Sequence, residues 1–337
     1  MELALYCPVY GYYEKEEDKI GRAGDYYTSV SVGPLFGELL AWQFAEWLGE
    51  GEHQIIEAGA HRGELARDIL NWLRLNRPTL FEQLEYIVVE PSARRREWQQ
   101  QMLAGFEGKV RWVGQVPELT KAFSEYDIAG VMFSNELLDA MPVHRLGWDA
   151  REKGWFEWAV TTKDGQFAWT RMPPEQALNK MASGRLRGLA EVLPDGFIVE
   201  LCPLAESWWS DAAEVLQRGK LVTMDYGFSA EELLRPERNQ GTLRAYYQHR
   251  LSDDLLAQPG EQDLTAHVNL SAIQLVGETA GLKTELLTSQ SRFLSAIASG
   301  IWKKSDAWTT EQRRQFQTLT HPEHLGERFR VLVQGRR

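Results

Sequence analysis

The sequence has little cysteine and no long apolar run. Its 337 residues include only two cysteines, Cys7 and Cys202, which lie far apart and in no Cys-x-x-Cys pattern. Neither a disulfide framework nor a zinc site is therefore implied. No apolar stretch approaches the roughly 20 residues that span a bilayer, and no signal peptide opens the chain. We expect a soluble, intracellular protein with no membrane span and no bound metal.

Basic residues are in the minority. Lys and Arg total 37 against 48 for Asp and Glu, a net charge of -11, which argues against a general nucleic-acid binder and is compatible with a cationic partner. The Gly-x-Ser-x-Gly motif of serine hydrolases and the phosphate-binding P-loop are also absent. In contrast, 43% of the residues are hydrophobic and 13 are tryptophan, enough for a large core in one elaborated domain or two.

The most informative stretch is QIIEAGAHRGELARDILNWL, residues 54–73. Its apolar run ends at Gly59, and after Gly63 the apolar residues recur at helical spacing, which predicts a strand, a tight turn and a helix. A glycine-containing turn of this kind holds a nucleotide-like cofactor in many α/β folds. The dinucleotide fingerprint has a middle glycine where this chain has His61, so a turn without a ligand stays an alternative.

Two further strands are predicted to end in polar residues. Residues 86–90 (YIVVE) end in Glu90, a position from which a carboxylate can accept both hydroxyls of a ribose. The apolar run 128–133 leads into SNELLDAMP, which delivers Asn135, Glu136 and Asp139 to the edge where open α/β sheets carry out their chemistry. Asp139 could instead stabilise the turn before Pro142.

The remaining segments complete an α/β pattern. Val110 to Val113 is predicted as a third strand, followed by Gln115 where such folds contact a base. The three arginines Arg94 to Arg96 are interpreted as a solvated helix face. Residues 143–170 are predicted to form a β-hairpin insertion with a Lys163-Asp164-Gly165 turn. Residues 196–201 and 220–225 are assigned to further strands, and 329–333 to the last one.

Several sequence boxes together resemble a known family. They are GDYYTS (24–29), FGELLA (36–41), the glycine loop (57–63), NELLDAMPVHR (135–145), MDYG (224–227), GTLRAYYQHR (241–250), DLTAHVN (263–269) and HPEHLGERFRVLVQG (321–335). Their order across nearly the whole chain resembles the S-adenosylmethionine-dependent methyltransferase family that includes the mitochondrial complex I assembly factor described as a protein arginine methyltransferase.

The resemblance implies an α/β fold with a Rossmann-like class I methyltransferase sheet of seven strands, the last antiparallel, with a β-hairpin insertion and added helices. We divide the chain accordingly. Residues 1–50 form a Tyr- and Gly-rich lid and a lead-in helix, residues 51–142 and 195–337 the methyltransferase core, and residues 143–194 the insertion.

The resemblance also implies a cofactor, S-adenosylmethionine, and a set of site residues. The residues expected to bind it are Glu57, Gly59, Ala60, His61, Gly63, Glu90, Gln115, Asn135, Tyr27 and Thr28. Glu136, Asn135 and Asp139 are expected to be catalytic, with Glu136 orienting an acceptor guanidinium bidentately and Asp139 as second choice. Asp25, Tyr26 and Tyr27 are candidates for a lid.

His61 is the main departure from the family pattern, which has a glycine there. Its side chain could point outward, could bind the cofactor's carboxylate, or could block the site. Three functions follow: a protein arginine methyltransferase, a small-molecule methyltransferase, or a non-catalytic assembly protein. A cytoplasmic location is expected, or a mitochondrial one if the chain is a truncated eukaryotic protein. The sequence does not indicate an oligomeric state.

Overall fold

The computed structural model describes residues 1–15, 28–49, 53–122, 128–189, 191–247, 250–302 and 308–337. Within these ranges the α-helices are α1 (Glu2–Tyr6), α2 (Leu35–Trp47), α3 (Glu64–Asn76), α4 (Pro78–Gln83), α5 (Ala93–Met102), α6 (Glu118–Ala122), α7 (Gln176–Arg185), α8 (Pro203–Val215), α9 (Ala230–Leu233), α10 (Leu270–Thr279), α11 (Gln290–Trp302) and α12 (Thr310–Thr320).

The strands belong to three sheets. They are β1 (Gln54–Ala58), β2 (Glu85–Val89), β3 (Val110–Val113), β4 (Ile128–Asn135), β5 (His144–Asp149), β6 (Gly154–Lys163), β7 (Gln166–Met172), β8 (Ile198–Leu201), β9 (Leu216–Phe228), β10 (Arg244–Tyr247), β11 (Arg250–Ser252), β12 (Asp263–Thr265), β13 (Val268–Asn269), β14 (Lys283–Ser289) and β15 (Phe329–Arg336).

The main sheet has the strand order β14-β15-β9-β4-β1-β2-β3, and β13 adds a short pairing to β9. β3, β2, β1, β4 and β9 pair in parallel, whereas β15 is antiparallel to both β9 and β14. The predicted seven-strand sheet with an antiparallel last strand is therefore confirmed. The chain order reverses between β1 and β4, and ligands of such sheets bind at that point.

Helices cover both faces of this sheet. Successive residues of β1 point to opposite faces, so Ile55 packs in the core beneath α2 and α3 while Ile56 packs in the core beneath α8 and α10. Burial on both faces explains why β1 and β4 are nearly continuous apolar runs rather than alternating ones. Their polar residues are consequently concentrated at the carboxyl ends, where the candidate site lies.

The insertion forms a second sheet of order β7-β6-β5-β8. The predicted hairpin is confirmed, since β6 and β7 pair antiparallel up to Lys163 and Gln166 across the Asp164-Gly165 turn. The strand predicted at 196–201 was assigned to the core, but β8 pairs with β5 of the insertion. The reason is local: the antiparallel register places Leu201 and Val199 against α7 in a small separate core.

No helix in the described ranges combines the length and apolar character needed to cross a membrane.

The third sheet, of order β11-β10-β12, packs near the amino-terminal residues through a cluster that includes Leu5, Tyr12, Ala245 and Leu264. This contact brings residues 1–15 against the edge of the main sheet where β1, β2 and β4 end.

Candidate active site

A cavity of about 1390 Å³ lies at the carboxyl ends of β1, β2 and β4. This volume exceeds the roughly 300–1,000 Å³ of typical small-molecule pockets. The predicted residues that line it are Thr28, Glu57, Gly59, Ala60, His61, Glu90, Gln115, Asn135 and Glu136. Gly63 and Asp139 are not among the lining residues that the structure describes, and the predicted lid residues Asp25, Tyr26 and Tyr27 lie outside the described ranges.

The glycine loop joins β1 to α3. Gly59 has φ 76°, and a Cβ there would lie 2.9 Å from Leu137 Cδ1, so only glycine allows the loop to approach the turn after β4. The Gly63 amide donates to the Ala60 carbonyl at 2.7 Å, and Gly63 precedes the first residue of α3. The loop thus presents a helix amino terminus to the cavity, an arrangement that favours a negatively charged ligand group.

His61 occupies a left-handed backbone conformation with φ 46°. Glycine adopts this region most readily, and histidine is one of the side chains that tolerates it better than most. The chain therefore keeps the backbone geometry that a glycine would give, with an imidazole added. That imidazole is half-buried and lines the cavity, which retains about 1390 Å³ beside it.

Glu90 lies at the end of β2 and is 1% exposed. Its Oε1 accepts from the Ser92 amide at 2.9 Å, and its Oε2 accepts from Gln99 Nε2 at 3.1 Å. Burial raises the pKa of this carboxyl, while the nearby Arg95 guanidinium opposes the rise. Oε1 also lies 3.0 Å from Arg95 Nη2, so both of its lone pairs have a partner. Oε2 accepts one hydrogen bond from the described residues and keeps a lone pair for another donor, such as a ribose hydroxyl.

The interpretation of Arg94 to Arg96 as a solvated face is wrong for Arg95 and Arg96, whereas Arg94 is exposed. Arg95 Nη2 lies 3.0 Å from Glu90 Oε1, and Arg96 Nε donates to the Glu90 carbonyl at 2.6 Å. Arg94 Nη1 donates to the carbonyl of Glu14 at 2.5 Å. The sequence shows three charges on one helix, but their partners come from the end of β2 and from the amino-terminal segment, and neither pairing follows from spacing.

Glu57, within β1, is buried beside Tyr86, whose hydroxyl donates to Glu57 Oε2 at 2.6 Å. Burial raises the pKa of Glu57 to about 8, despite the opposing effect of this hydrogen bond. The carboxyl is therefore largely protonated at neutral pH in the absence of a cationic neighbour.

Glu136 directly follows β4 and has φ 52°, an uncommon conformation for a residue with a side chain. Its amide donates to the Met224 carbonyl at 2.9 Å, and its Oε1 accepts from the Ser29 amide at 3.2 Å and from Asn135 Nδ2 at 3.0 Å. Its Oε2 and Asn135 Oδ1 are buried and accept no hydrogen bond from the residues that the structure describes. Burial raises the pKa of Glu136 to about 8.

Asp139 is 5% exposed and is hydrogen-bonded to Asp225 at the end of β9. Burial and the Asp225 carboxylate together raise the pKa of Asp139. Asp225 in turn accepts the amides of Leu137 at 3.2 Å and Leu138 at 2.9 Å. This geometry favours the alternative in which Asp139 stabilises the turn, and its catalytic role stays a prediction.

The predicted site residues left out three members of the amino-terminal segment that was predicted as a lid. Tyr6, Tyr13 and Glu14 all line the cavity. The Tyr6 hydroxyl donates to the Ala140 carbonyl at 2.9 Å, and Ser92 Oγ donates to Glu14 Oε2 at 2.7 Å. The density of tyrosines in this segment was the available indication, but it does not specify which surface the rings contact.

The sequence matches the model of a known family. The model of the family described as "Putative S-adenosyl-L-methionine-dependent methyltransferase" matches residues 39–288. The chain belongs to this family. Its cofactor is S-adenosylmethionine, and its reaction class is methyl transfer.

Two kinds of relative are similar over nearly the whole chain. A crystal structure of a Burkholderia thailandensis protein bound to S-adenosyl-homocysteine is 32% identical with a TM-score of 0.83, and the match covers 99% of this chain and 86% of that one. The human "Protein arginine methyltransferase NDUFAF7, mitochondrial" is 27% identical, over 98% of this chain and 77% of its own length. The Drosophila melanogaster homolog is 26% identical, over 99% and 79%.

These animal relatives are named as mitochondrial proteins, so the expected cytoplasmic location gains no support from them.

The residues lining the cavity fit S-adenosylmethionine. Two buried acceptors, Asn135 Oδ1 and Glu136 Oε2, lack a donor among the described residues, and a buried acceptor is stabilised by a cation or a hydrogen-bond donor. Glu90 Oε2 supplies a free lone pair for a hydroxyl, and the amino terminus of α3 favours a carboxylate. The cofactor carries all three kinds of group: a sulfonium, a ribose and an amino-acid carboxylate.

Proposed function

We propose that this methyltransferase modifies an arginine side chain of a protein. Two observations support the acceptor. The human and fly relatives carry the name protein arginine methyltransferase. The cavity contains a carboxyl group with an unused oxygen, which is the group that an arginine guanidinium pairs with best.

The unsatisfied Oε2 of Glu136 is the single observation that carries the proposal. Oε1 already accepts from Ser29 and Asn135, so both of its lone pairs are used and the carboxyl cannot rotate freely. None of the described residues donates to Oε2, which therefore keeps two lone pairs for the acceptor. A guanidinium can therefore place two N–H groups on this one oxygen, rather than one on each oxygen as the bidentate prediction has it.

The cofactor supplies a methyl group on a positively charged sulfur. Glu136 would hold the acceptor nitrogen in line with that methyl, and such positioning supplies much of the rate in displacement reactions. The pKa of Glu136, raised by burial to about 8, also suits Oε2 to take the proton that the guanidinium nitrogen loses on methylation. A cationic neighbour lowers this pKa, so the occupied site favours the carboxylate.

The test is methyl transfer from isotopically labelled S-adenosylmethionine to arginine-containing protein substrates, read by mass spectrometry. Glu136→Gln should lower transfer by about 100-fold or more and change the affinity for S-adenosyl-homocysteine by less than about threefold, because the amide keeps the shape but loses the charge. The exposed Glu82 on α4 gives the matched control, Glu82→Gln.

Undiminished transfer by Glu136→Gln would remove the catalytic assignment. Label found only in low-mass products would replace the protein acceptor with a small molecule, and binding without any transfer would support an assembly role. For a eukaryotic source we also propose the mitochondrial compartment that the animal relatives' names state.

A further inference from the structure

Gln99 is a fully buried polar residue on an otherwise polar helix. It lies in α5 within the run Gln99-Gln100-Gln101, and its two glutamine neighbours are exposed. Burying an amide costs free energy unless its donors and acceptor are paired. The reason for burying only the first of these three glutamines must therefore lie in what its side chain contacts.

The Gln99 amide joins three separate parts of the chain. Its Nε2 donates to the His61 carbonyl at 2.9 Å and to Glu90 Oε2 at 3.1 Å. Its Oε1 accepts from Trp112 Nε1 on β3 at 3.0 Å. Both N–H groups are therefore used on the cavity side, one on the glycine loop and one on the carboxyl at the end of β2.

The contact with Glu90 restricts how that carboxyl can rotate. Oε1 is held by the Ser92 amide and by the Arg95 guanidinium, and among the described residues Oε2 is held only by Gln99. Since Trp112 fixes the opposite end of the Gln99 amide, the amide cannot flip without placing its oxygen against the Glu90 carboxylate. Gln99 thus determines which lone pair of Glu90 Oε2 remains open toward the cavity.

We propose that Gln99 is a positioning residue for the cofactor's ribose: it sets the rotation of the Glu90 carboxyl so that the remaining lone pair on Oε2 meets a ribose hydroxyl. Gln99 itself does not line the cavity and acts only through Glu90. The inference rests on the proposed placement of the ribose at Glu90.

The experiment is calorimetric titration of the full chain with S-adenosyl-homocysteine and with its 2′,3′-dideoxy analogue. Gln99→Met should weaken S-adenosyl-homocysteine binding by about tenfold or more, the scale of a charge-assisted hydrogen bond. The loss of affinity for the dideoxy analogue, which has no ribose hydroxyls to contact Glu90, should be at least about fivefold smaller. Gln100→Met on the exposed face of the same helix is the matched control and should change neither affinity.

A second variant adds a pH readout. Gln99→Glu keeps the size of the side chain but places a carboxylate beside Glu90, so binding at pH 8 should be weaker than in Gln99→Met. Protonation of the introduced carboxyl restores a donor, and affinity should therefore recover toward pH 5 relative to the wild type. A merely structural role predicts no such recovery.

Equal losses for both ligands in Gln99→Met, or no loss for either, would overturn the inference. The variant Glu90→Gln tells whether the role of Gln99 is wrong or the placement of the ribose at Glu90 is wrong. If Glu90→Gln weakens the binding of S-adenosyl-homocysteine more than that of the dideoxy analogue, and Gln99→Met weakens both equally or neither, the ribose site stands and only the role of Gln99 is contradicted. If the wild-type chain binds neither ligand, both fall.

Discussion

At the scale of single residues, His61 shows how a departure from the family pattern is accommodated. The backbone keeps the left-handed φ of 46°, and the loop keeps its turn to Gly63. A side chain in this region costs about 1–2 kcal/mol relative to the right-handed conformation.

We predict that His61→Gly leaves the free energy of unfolding within about 1 kcal/mol of the wild type. Relief of the left-handed strain is offset by the larger conformational entropy of glycine in the unfolded chain. The affinity for S-adenosyl-homocysteine should change by less than about tenfold. Denaturant titration and calorimetry measure the two quantities, and binding that appears only in the variant would show that the imidazole blocks the site.

The raised pKa of Glu136 predicts that the affinity for a cationic ligand depends on pH more strongly than the affinity for a neutral one. Its pKa of about 8 means that the carboxyl of the empty site is mostly protonated at pH 6 and loses its proton as pH rises through 8. S-adenosylmethionine should therefore bind more tightly as pH rises, and level off above pH 8, because its sulfonium favours the carboxylate. S-adenosyl-homocysteine has a neutral sulfur and should show a smaller effect.

The measured quantity is the dissociation constant of S-adenosyl-homocysteine divided by that of S-adenosylmethionine, determined between pH 6 and 9. We expect this ratio to rise by about threefold or more up to pH 8. Glu136→Gln should flatten it, whereas Glu57→Gln should not. A ratio that is flat in the wild type would contradict the placement of the sulfonium near Glu136.

The strand ends at Glu90, Asn135 and Glu136 were predictable because each follows an apolar run long enough to be a buried strand. The sequence could not predict their partners. Gln99 and Arg95 reach Glu90 from α5, and Ser29 reaches Glu136 from 107 positions away in the chain. Such contacts depend on packing between elements, which residue spacing does not encode.

At the scale of elements, the strongly apolar strands were predicted and β14 was not. Most residues of β14 are exposed or half-buried, and its sequence KTELLTS lacks clear alternation. It is a strand because the edge of β15 offers a row of hydrogen-bonding groups, which it pairs from Lys283 to Ser289. An edge strand of this kind is specified by its neighbour more than by its own side chains.

Gln334 on β15 holds this edge of the sheet. Its Oε1 accepts from the buried Trp209 Nε1 at 2.8 Å, and its Nε2 donates to the Gln274 carbonyl and to Thr284 Oγ1, both at 2.9 Å. One side chain therefore joins α8, α10 and β14. Its burial is favourable only while all these groups are paired.

We predict that Gln334→Leu lowers the free energy of unfolding by about 2–4 kcal/mol, because it leaves the Trp209 N–H and the Gln274 carbonyl buried without partners. Urea denaturation measures this change. Trp209→Phe removes the same contact from the other side, so the double variant should lose clearly less than the sum of the two single losses. Additive losses would mean that the contact contributes little.

At the scale of the whole molecule, the buried acids make stability depend on pH. Burial raises the pKa of both Glu57 and Glu136 to about 8, far above the roughly 4.3 of an unfolded glutamate. The folded state therefore holds these protons more tightly. This contribution to stability is fully present below about pH 4 and is lost as pH rises through 8.

We predict that the ligand-free protein loses stability between pH 5 and pH 8, and that Glu57→Gln reduces this loss by about 1–3 kcal/mol. Urea denaturation at the two pH values measures the loss in each protein. An identical pH dependence in the variant and the wild type would contradict the burial of an uncompensated carboxyl at Glu57. Saturating S-adenosylmethionine should also reduce the loss, because a bound cation favours the ionised carboxylates.

The most direct test of the cofactor site is a calorimetric titration of the wild-type chain and Glu90→Gln with S-adenosyl-homocysteine at neutral pH. The site described here predicts one ligand per chain in the wild type and a loss of affinity of about tenfold or more in the variant, as expected for a charged hydrogen-bond acceptor of the ribose. No binding to the wild type, or equal affinity in both proteins, would contradict it.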